Sequence, residues 1–178
     1  MVGTGGFLNP LDTIKQLDVK KGMIIADFGC GAGYFSIPLA KLVGGEGKVF
    51  AFDVLETALE SVKGRARLEG LFNIETRRRD LEKENSSGLE NDSVDLVLMA
   101  NILFQSDDKS GIIREAQRVL KNEGQIVIID WKPEQPMGPK ADSIVPIETI
   151  KEIAQASGLK FLNDLSIDKY HWGAIFSK

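Results

Sequence analysis

The chain has 178 residues, 43% hydrophobic and 27% charged, the proportions of a globular protein with one domain and a substantial core. Lys and Arg number 22 against 26 Asp and Glu, a formal net charge of −4, which removes the bulk positive field of a duplex-binding protein. One cysteine and one histidine, Cys30 and His171, exclude an internal disulfide and a His/Cys zinc site.

The longest apolar run, Leu96 to Ala100, falls far short of the roughly 20 residues that span a bilayer. The opening Met-Val-Gly-Thr-Gly-Gly lacks a charged n-region and an apolar h-region. The expectation is a reduced, cytoplasmic protein with no membrane partner. Residues 1–9 are glycine-rich and read as a flexible N-terminus, ahead of a single domain over residues 10–178.

Leu11, Ile14 and Leu17 recur at helical spacing after Pro10. Met23–Phe28 is an apolar run broken only by Asp27, as in a strand buried on both faces. Gly29–Gly33 is a loop, Phe35–Val43 a helix, and Lys48–Asp53 a second strand. Leu55, Ala58, Leu59, Val62 and Ala66 mark the next helix face. Asn73–Arg79 is a third strand and Leu81–Asp92 a polar loop. Val94–Ala100 is a fourth strand. The helix carrying Ile112, Ala116, Val119 and Leu120 follows, with Asp107 and Asp108 at its favourable N-terminal end. Asn122-Glu123-Gly124 stops that helix before a fifth strand, Gln125–Trp131. A proline-rich loop runs from Pro133 to Pro146. Ile147, Ile150, Ile153 and Ala154 form a last helix closed by Gly158. Leu159–Ile167 and Tyr170–Ser177 are an antiparallel pair joined by Asp168-Lys169. Alternating strands and helices over five units predict an α/β fold, a parallel sheet with helices on both faces.

The first strand ends in Asp27-Phe28-Gly29-Cys30-Gly31-Ala32-Gly33, at the edge where open α/β sheets bind ligands. Glycines at alternate positions let the chain turn sharply and let a ligand lie against bare main chain. The dinucleotide pattern G-x-G-x-x-G needs its third glycine at position 34, so a nicotinamide site fails by one residue. The spacing Asp-x-Gly-x-Gly-x-Gly instead resembles motif I of the class I S-adenosylmethionine-dependent methyltransferases. Asp53 at the end of the second strand, Asp80-Leu81 after the third, Asp95 to Gln105 and the turn Leu120–Gln125 extend the resemblance over about residues 10–178. Gln125 stands where the family has a second glycine. The segment Asn101-Ile102-Leu103-Phe104-Gln105 lacks the histidine many relatives carry there, which detaches the acceptor chemistry from the family pattern.

The resemblance implies a Rossmann-like three-layer α/β/α sandwich, its seven-stranded sheet mostly parallel with an antiparallel C-terminal strand. It also implies S-adenosylmethionine as cofactor and S-adenosylhomocysteine as product. Asp27 would reach the methionine ammonium, and Gly29, Gly31 and Gly33 would let the cofactor approach. Asp53 would hold the ribose, while Val54, Asp80 and Leu81 would frame the adenine. The Asn101 carbonyl would take the ammonium from the far side. Phe104, Gln105 and Trp131 would line the pocket of a small-molecule acceptor. Candidate general bases are Asp130 and His171, needed only if the acceptor must lose a proton.

Each residue also has a plainer reading. The glycines can close a turn, and Asp53 and Asp80 can cap one. Asp130 and His171 can be satisfied hydrogen-bonding groups. Cys30 reads as a small apolar filler. Arg77-Arg78-Arg79 alternates faces on a strand and reads as a solvated edge. An RNA or protein methyltransferase, or a non-catalytic cofactor-binding protein, stays open as an alternative. No nucleic-acid module is evident, and the oligomeric state is not legible.

Overall fold

The computed structural model describes residues 8–83, 85–133 and 138–178. Its strands are β1 (Ile24–Phe28), β2 (Lys48–Asp53), β3 (Ile74–Arg78), β4 (Val94–Ala100), β5 (Leu120–Trp131), β6 (Lys160–Leu165) and β7 (His171–Ser177). They form one seven-stranded sheet in the order β3-β2-β1-β4-β5-β7-β6. The first five are mutually parallel. β7 runs antiparallel to both β5 and β6. The expected sandwich is therefore present.

Strand alternation sorts the side chains into two layers. Ala26, Phe28, Val97, Met99, Ile126 and Ile128 pack beneath α4 (Lys109–Val119) and α5 (Ile147–Ala156). Ile25, Leu96, Leu98, Val127 and Ile129 pack beneath α1 (Pro10–Ile14) and α2 (Ser36–Val43). α3 (Glu56–Leu68) covers β2 through Leu59 and Val62, against Ala51 and Cys30. Phe28 and Phe52 meet edge to face at 5.4 Å and are fully buried, each contributing roughly 1.5–3 kcal/mol by its removal from water.

The local chemistry accounts for the boundaries. Asn9 Oδ1 accepts from Leu11 N at 3.1 Å and Pro10 begins α1, so Asn9 is a helix cap rather than part of a flexible run. The rest of the expected flexible terminus, up to residue 7, lies outside the described residues. Asp108 caps α4 through Gly111 N at 2.8 Å. Residues 134–137 of the proline-rich stretch lie outside the described residues.

Most strand boundaries fall within two residues of expectation, and one differs by more. β5 starts at Leu120, directly after α4, and not at Gln125. Leu120 pairs with Val94 and Gln125 with Leu96, leaving a bulge between them. Glu123 adopts a positive φ of 67° inside it. Lys121 reaches back from the bulge to Asp95 at 2.8 Å. Asp95 also accepts from Ile24 N at 2.7 Å, so this acid pins the start of β1 at the sheet edge opposite the glycine loop.

Candidate active site

β1 and β4 are the central neighbours in the sheet, and the chain winds away from them in opposite directions. Ligands bind at such switch points, beyond the carboxyl ends of the strands. The glycine loop leaves β1 here. Gly29 N and Cys30 N both donate to Phe52 O, at 2.9 and 2.8 Å, which ties the loop to β2. Asp53 Oδ2 accepts from Gly31 N and its Oδ1 from Leu55 N, each at 2.9 Å. One carboxylate thus fixes the loop tip and the entry to α3.

The three glycines do different things, although all have positive φ. A Cβ on Gly31 would meet nothing within 4 Å, so this position faces open space. A Cβ on Gly29 would lie 2.8 Å from Ile102 Cδ1. A Cβ on Gly33 would lie 3.0 Å from Val62 Cγ2, so Gly33 serves the approach of α3 and does not open onto the cleft.

The cleft has two halves that share Gly29, Gly31, Ala100 and Asn101. The larger, about 440 Å³, is lined by Asp53, Val54, Asp80, Leu81, Gln105 and Ser106 among others. The smaller, about 280 Å³, is lined by Asp27, Cys30, Tyr34 and Phe35. The first has room for a nucleoside, and the second, apolar but for Asp27, Tyr34 and Asn101, for a short chain. Arg79 lines the larger half as well, so the arginine run is not wholly a solvated edge. Arg77 and Arg78 are engaged with Glu75 and the Val54 carbonyl.

Asp27 is buried and accepts from Ser36 Oγ at 2.5 Å. Burial pushes its pKa up to about 7 against the lowering effect of Ser36, and the Asp53 charge adds to the rise. Burial likewise pushes the Cys30 thiol up, with Asp27 and Asp53 reinforcing it, which makes it a poor nucleophile. Asp80 is held below the usual carboxylate range by the Glu82 amide and by Lys83.

The remaining candidates stand further back. Asp130 is buried; its carboxylate accepts from the backbone amides of Leu103, Phe104 and Trp131 at 3.0, 3.1 and 2.8 Å. It anchors the 3-10 turn Leu103–Gln105, and burial raises its pKa to about 6 against those three donors. Phe104 serves that anchor through its amide. Trp131 packs against His171 with ring centroids 4.2 Å apart and planes tilted by 44°, and a Cβ on Gly138 would lie 2.7 Å from its Cε3. His171 is buried behind Asn101. Its Nδ1 lies 2.9 Å from both Asp168 oxygens, and its Nε2 lies 3.4 Å from Asn101 Nδ2. The Asn101 carbonyl accepts from Gln105 Nε2 at 3.0 Å.

Sequence reasoning missed Ser36, Asp168 and Ser106. An isolated serine opening an apolar helix and an Asp-x-x-His turn were visible signals for the first two; nothing marked Ser106. Asn101 Oδ1 and Ser106 Oγ are buried side-chain atoms without a hydrogen-bond partner, and both residues line the larger half of the cleft. Such atoms are costly unless a ligand meets them.

Fold and cleft together define an α/β protein built to hold a nucleoside-bearing cofactor across a glycine loop. The sequence profile of the family described as "Methyltransferase domain" matches residues 19–170. The chain belongs to that family, in its class I S-adenosylmethionine-dependent branch. An S-adenosylmethionine-dependent methyltransferase from Aquifex aeolicus superposes with a TM-score of 0.85 at 28% identity, over 95% of this chain and 89% of that one. One from Mesorhizobium loti shares the fold at a TM-score of 0.76 and 18% identity, covering 94% and 96%. The demethylmenaquinone methyltransferase of Lactococcus lactis is 29% identical over 163 residues, 90% of this chain and 60% of its own length. That of Listeria welshimeri is 32% identical over 121 residues, 67% and 49% respectively. The chain thus spans about half to three-fifths of these curated relatives. Among the described residues no helix is long and apolar enough to cross a membrane.

Proposed function

We propose that this chain, as one domain over residues 10–178 working in the cytoplasm, transfers a methyl group from S-adenosylmethionine to a small-molecule acceptor. The observation that carries the reading is the cleft itself: bare main chain at Gly31, open within 4 Å, set between the carboxylates of Asp27 and Asp53. The unpartnered Asn101 Oδ1 and Ser106 Oγ support it. Relatives named for demethylmenaquinone support a small molecule as the acceptor class.

Asp27 would hold the methionine ammonium, and Gly29 and Gly31 would bear the main chain of the cofactor. Asp53 would accept from the ribose hydroxyls, and Val54, Asp80 and Leu81 would frame the adenine. The cofactor, when bound, supplies the activated methyl. The protein contributes orientation and exclusion of water, which carry most of such a displacement. The acceptor's lone pair forms the new bond to carbon while the carbon–sulfur electrons stay with sulfur as S-adenosylhomocysteine leaves. A protonated acceptor then gives up its proton. Phe104 and Trp131 stand on the acceptor side in this reading, while Gln105 lines the nucleoside half.

Calorimetry tests the first half: S-adenosylmethionine and S-adenosylhomocysteine bind, and NAD does not. Labelled methyl transfer into a metabolite extract, with the product identified by mass, tests the second. A second reading, a cofactor-binding protein without turnover, is favoured by one observation. Asp130 is occupied by three amides and His171 is screened by Asn101. Binding without any labelled product would select it.

A further inference from the structure

Asn101 stands in an uncommon state for a non-glycine residue, at φ 57°, in the left-handed region that asparagine tolerates. It borders both halves of the cleft. Behind it, Asp168 is committed: its Oδ1 accepts from Tyr170 N at 2.7 Å and His171 N at 2.8 Å, and both oxygens face His171 Nδ1. A carboxylate accepts only, so Nδ1 must carry the proton. A ring whose single proton sits there offers a lone pair at Nε2. Of the two ends of the Asn101 carboxamide, only the NH₂ can meet that lone pair. With the ring neutral, the orientation of the amide follows from Asp168 through His171, and the end left without a hydrogen-bond partner is Oδ1, a buried atom of a residue that lines both halves of the cleft.

On the reading above, the methionine lies on the Asp27 side and the ribose on the Asp53 side, so the sulfur between them falls at the shared ridge beside Asn101. Asp27 and Asp53 already answer the cofactor's own donors. We propose that Asn101 Oδ1 is the hydrogen-bond acceptor for the second substrate, and that Asp168 and His171 are positioning residues that fix its polarity. The chemistry selected is a nucleophile that brings an O–H or N–H donor to the reaction centre, with its lone pair turned toward the methyl. A carboxylate, or a tertiary amine lacking that proton, is disfavoured because its own lone pairs would face Oδ1. This inference rests on the methyl-transfer reading, but the orientation of the amide can be tested without turnover.

His171 is the chain's single histidine, so ¹⁵N labelling of imidazole gives one pair of ring signals. The full chain is saturated with S-adenosylhomocysteine, whose binding is checked separately by calorimetry. At neutral pH the native ring shows Nδ1 protonated and Nε2 bare. Asn101→Asp replaces the NH₂ donor by an oxygen, and Nε2 gains a proton. The charged groups around the ring are Asp168, Lys132, which reaches the Asp168 carbonyl, and Glu148, Lys151 and Asp164, which line the same cavity as His171; Trp131 packs against it at a tilt. A native ring with Nε2 protonated means that Asn101 presents NH₂ to the cleft, and the proposal falls. An unchanged ring in Asn101→Asp has the same consequence.

Four probes then test the substrate class with labelled S-adenosylmethionine: catechol and aniline against benzoate and N,N-dimethylaniline. Label enters the first pair at least tenfold faster. His171→Phe keeps a ring against Trp131 but removes the acceptor for Asn101. It lowers kcat on the first pair about tenfold or more, with the KM for S-adenosylmethionine within twofold. Faster labelling of the second pair overturns the proposal, as does labelling of neither pair while S-adenosylhomocysteine binds, or a His171→Phe loss confined to the cofactor KM. Failure of the native chain to bind the cofactor would instead remove the methyl-transfer reading itself.

Discussion

Replacing Asp27 with asparagine should stabilise the protein while depriving it of its cofactor. The folded chain raises the Asp27 pKa from 3.8 to about 7, burial being the main cause. Because the folded value exceeds the unfolded one, the native state holds its proton longer than the unfolded chain does. The resulting loss of stability is absent below about pH 4, grows as pH rises toward 7 and is constant above it. At 1.36 kcal/mol per unit, the full effect is on the order of 4 kcal/mol. The substituted carboxamide carries no charge and can keep a hydrogen bond to Ser36 Oγ, so at most about 1 kcal/mol of this gain is lost again. Urea unfolding of native and Asp27→Asn proteins at about pH 4.5, 6 and 8 measures the difference. The variant should match the native chain at the lowest pH and exceed it by about 3 kcal/mol at the highest. In calorimetry the variant should bind S-adenosylhomocysteine at least tenfold more weakly. The native chain should release up to about one proton on binding near pH 6, read from the dependence of the heat on the buffer. A stability difference independent of pH, or a variant less stable at pH 8, would refute the reasoning.

The neighbouring glycines separate ligand contact from packing. Gly31→Ala should cost about 1–2 kcal/mol of stability from its left-handed backbone alone yet lower cofactor affinity tenfold or more, whereas Gly33→Ala, pressed on Val62, should cost roughly 2–4 kcal/mol with affinity little changed; melting and calorimetry read both. Asp53→Ala should weaken S-adenosylhomocysteine binding by about 1.5–3 kcal/mol through loss of charged hydrogen bonds; unchanged affinity removes its ribose assignment. Away from the site, Glu115 is 2% exposed and accepts from Ser87 N, Ser87 Oγ and Arg118. Glu115→Ala should cost about 3–5 kcal/mol in urea unfolding by stranding those donors, with cofactor affinity preserved.

The framework was legible where one local signal decides. Lys48–Asp53 and Val94–Ala100 match the observed strands because apolar runs end there at turn-forming residues. The start of β5 was not legible. A bulge that holds Lys121 on Asp95 across the sheet leaves no trace in periodicity, and Asn122-Glu123-Gly124 reads equally as a helix stop. In the site, spacing located the loop and both flanking acids, which the structure gathers around one cleft. Spacing could not separate Gly31 from Gly33, since both have positive φ and only the placement of Val62 distinguishes them. Nor could it show that Asp130 is claimed by the turn that opens the acceptor side. The link from His171 to Asn101 spans 70 residues, so the chain pattern at either end carries no hint of the other.

Several departures from ordinary folding rules share one place, while others, such as Glu123 in the β5 bulge and the unpartnered Ser86 Oγ, lie elsewhere. A carboxyl that is costly to ionise, a left-handed asparagine and two unanswered buried polar atoms all border the cleft at the β1/β4 switch point. Each lowers the stability of the empty protein, and each has a ligand group that would relieve it: an ammonium for Asp27, and donors for Asn101 Oδ1 and Ser106 Oγ. A turn that merely joined a strand to a helix would have no use for them, because local hydrogen bonds or apolar side chains would satisfy the same geometry at less cost. Coupling these groups to ligand binding therefore explains why the sequence retains them, and it requires that cofactor and acceptor stabilise the native state by mass action. If saturating S-adenosylhomocysteine left the melting temperature unmoved, the strain would have to be assigned to something other than this cofactor.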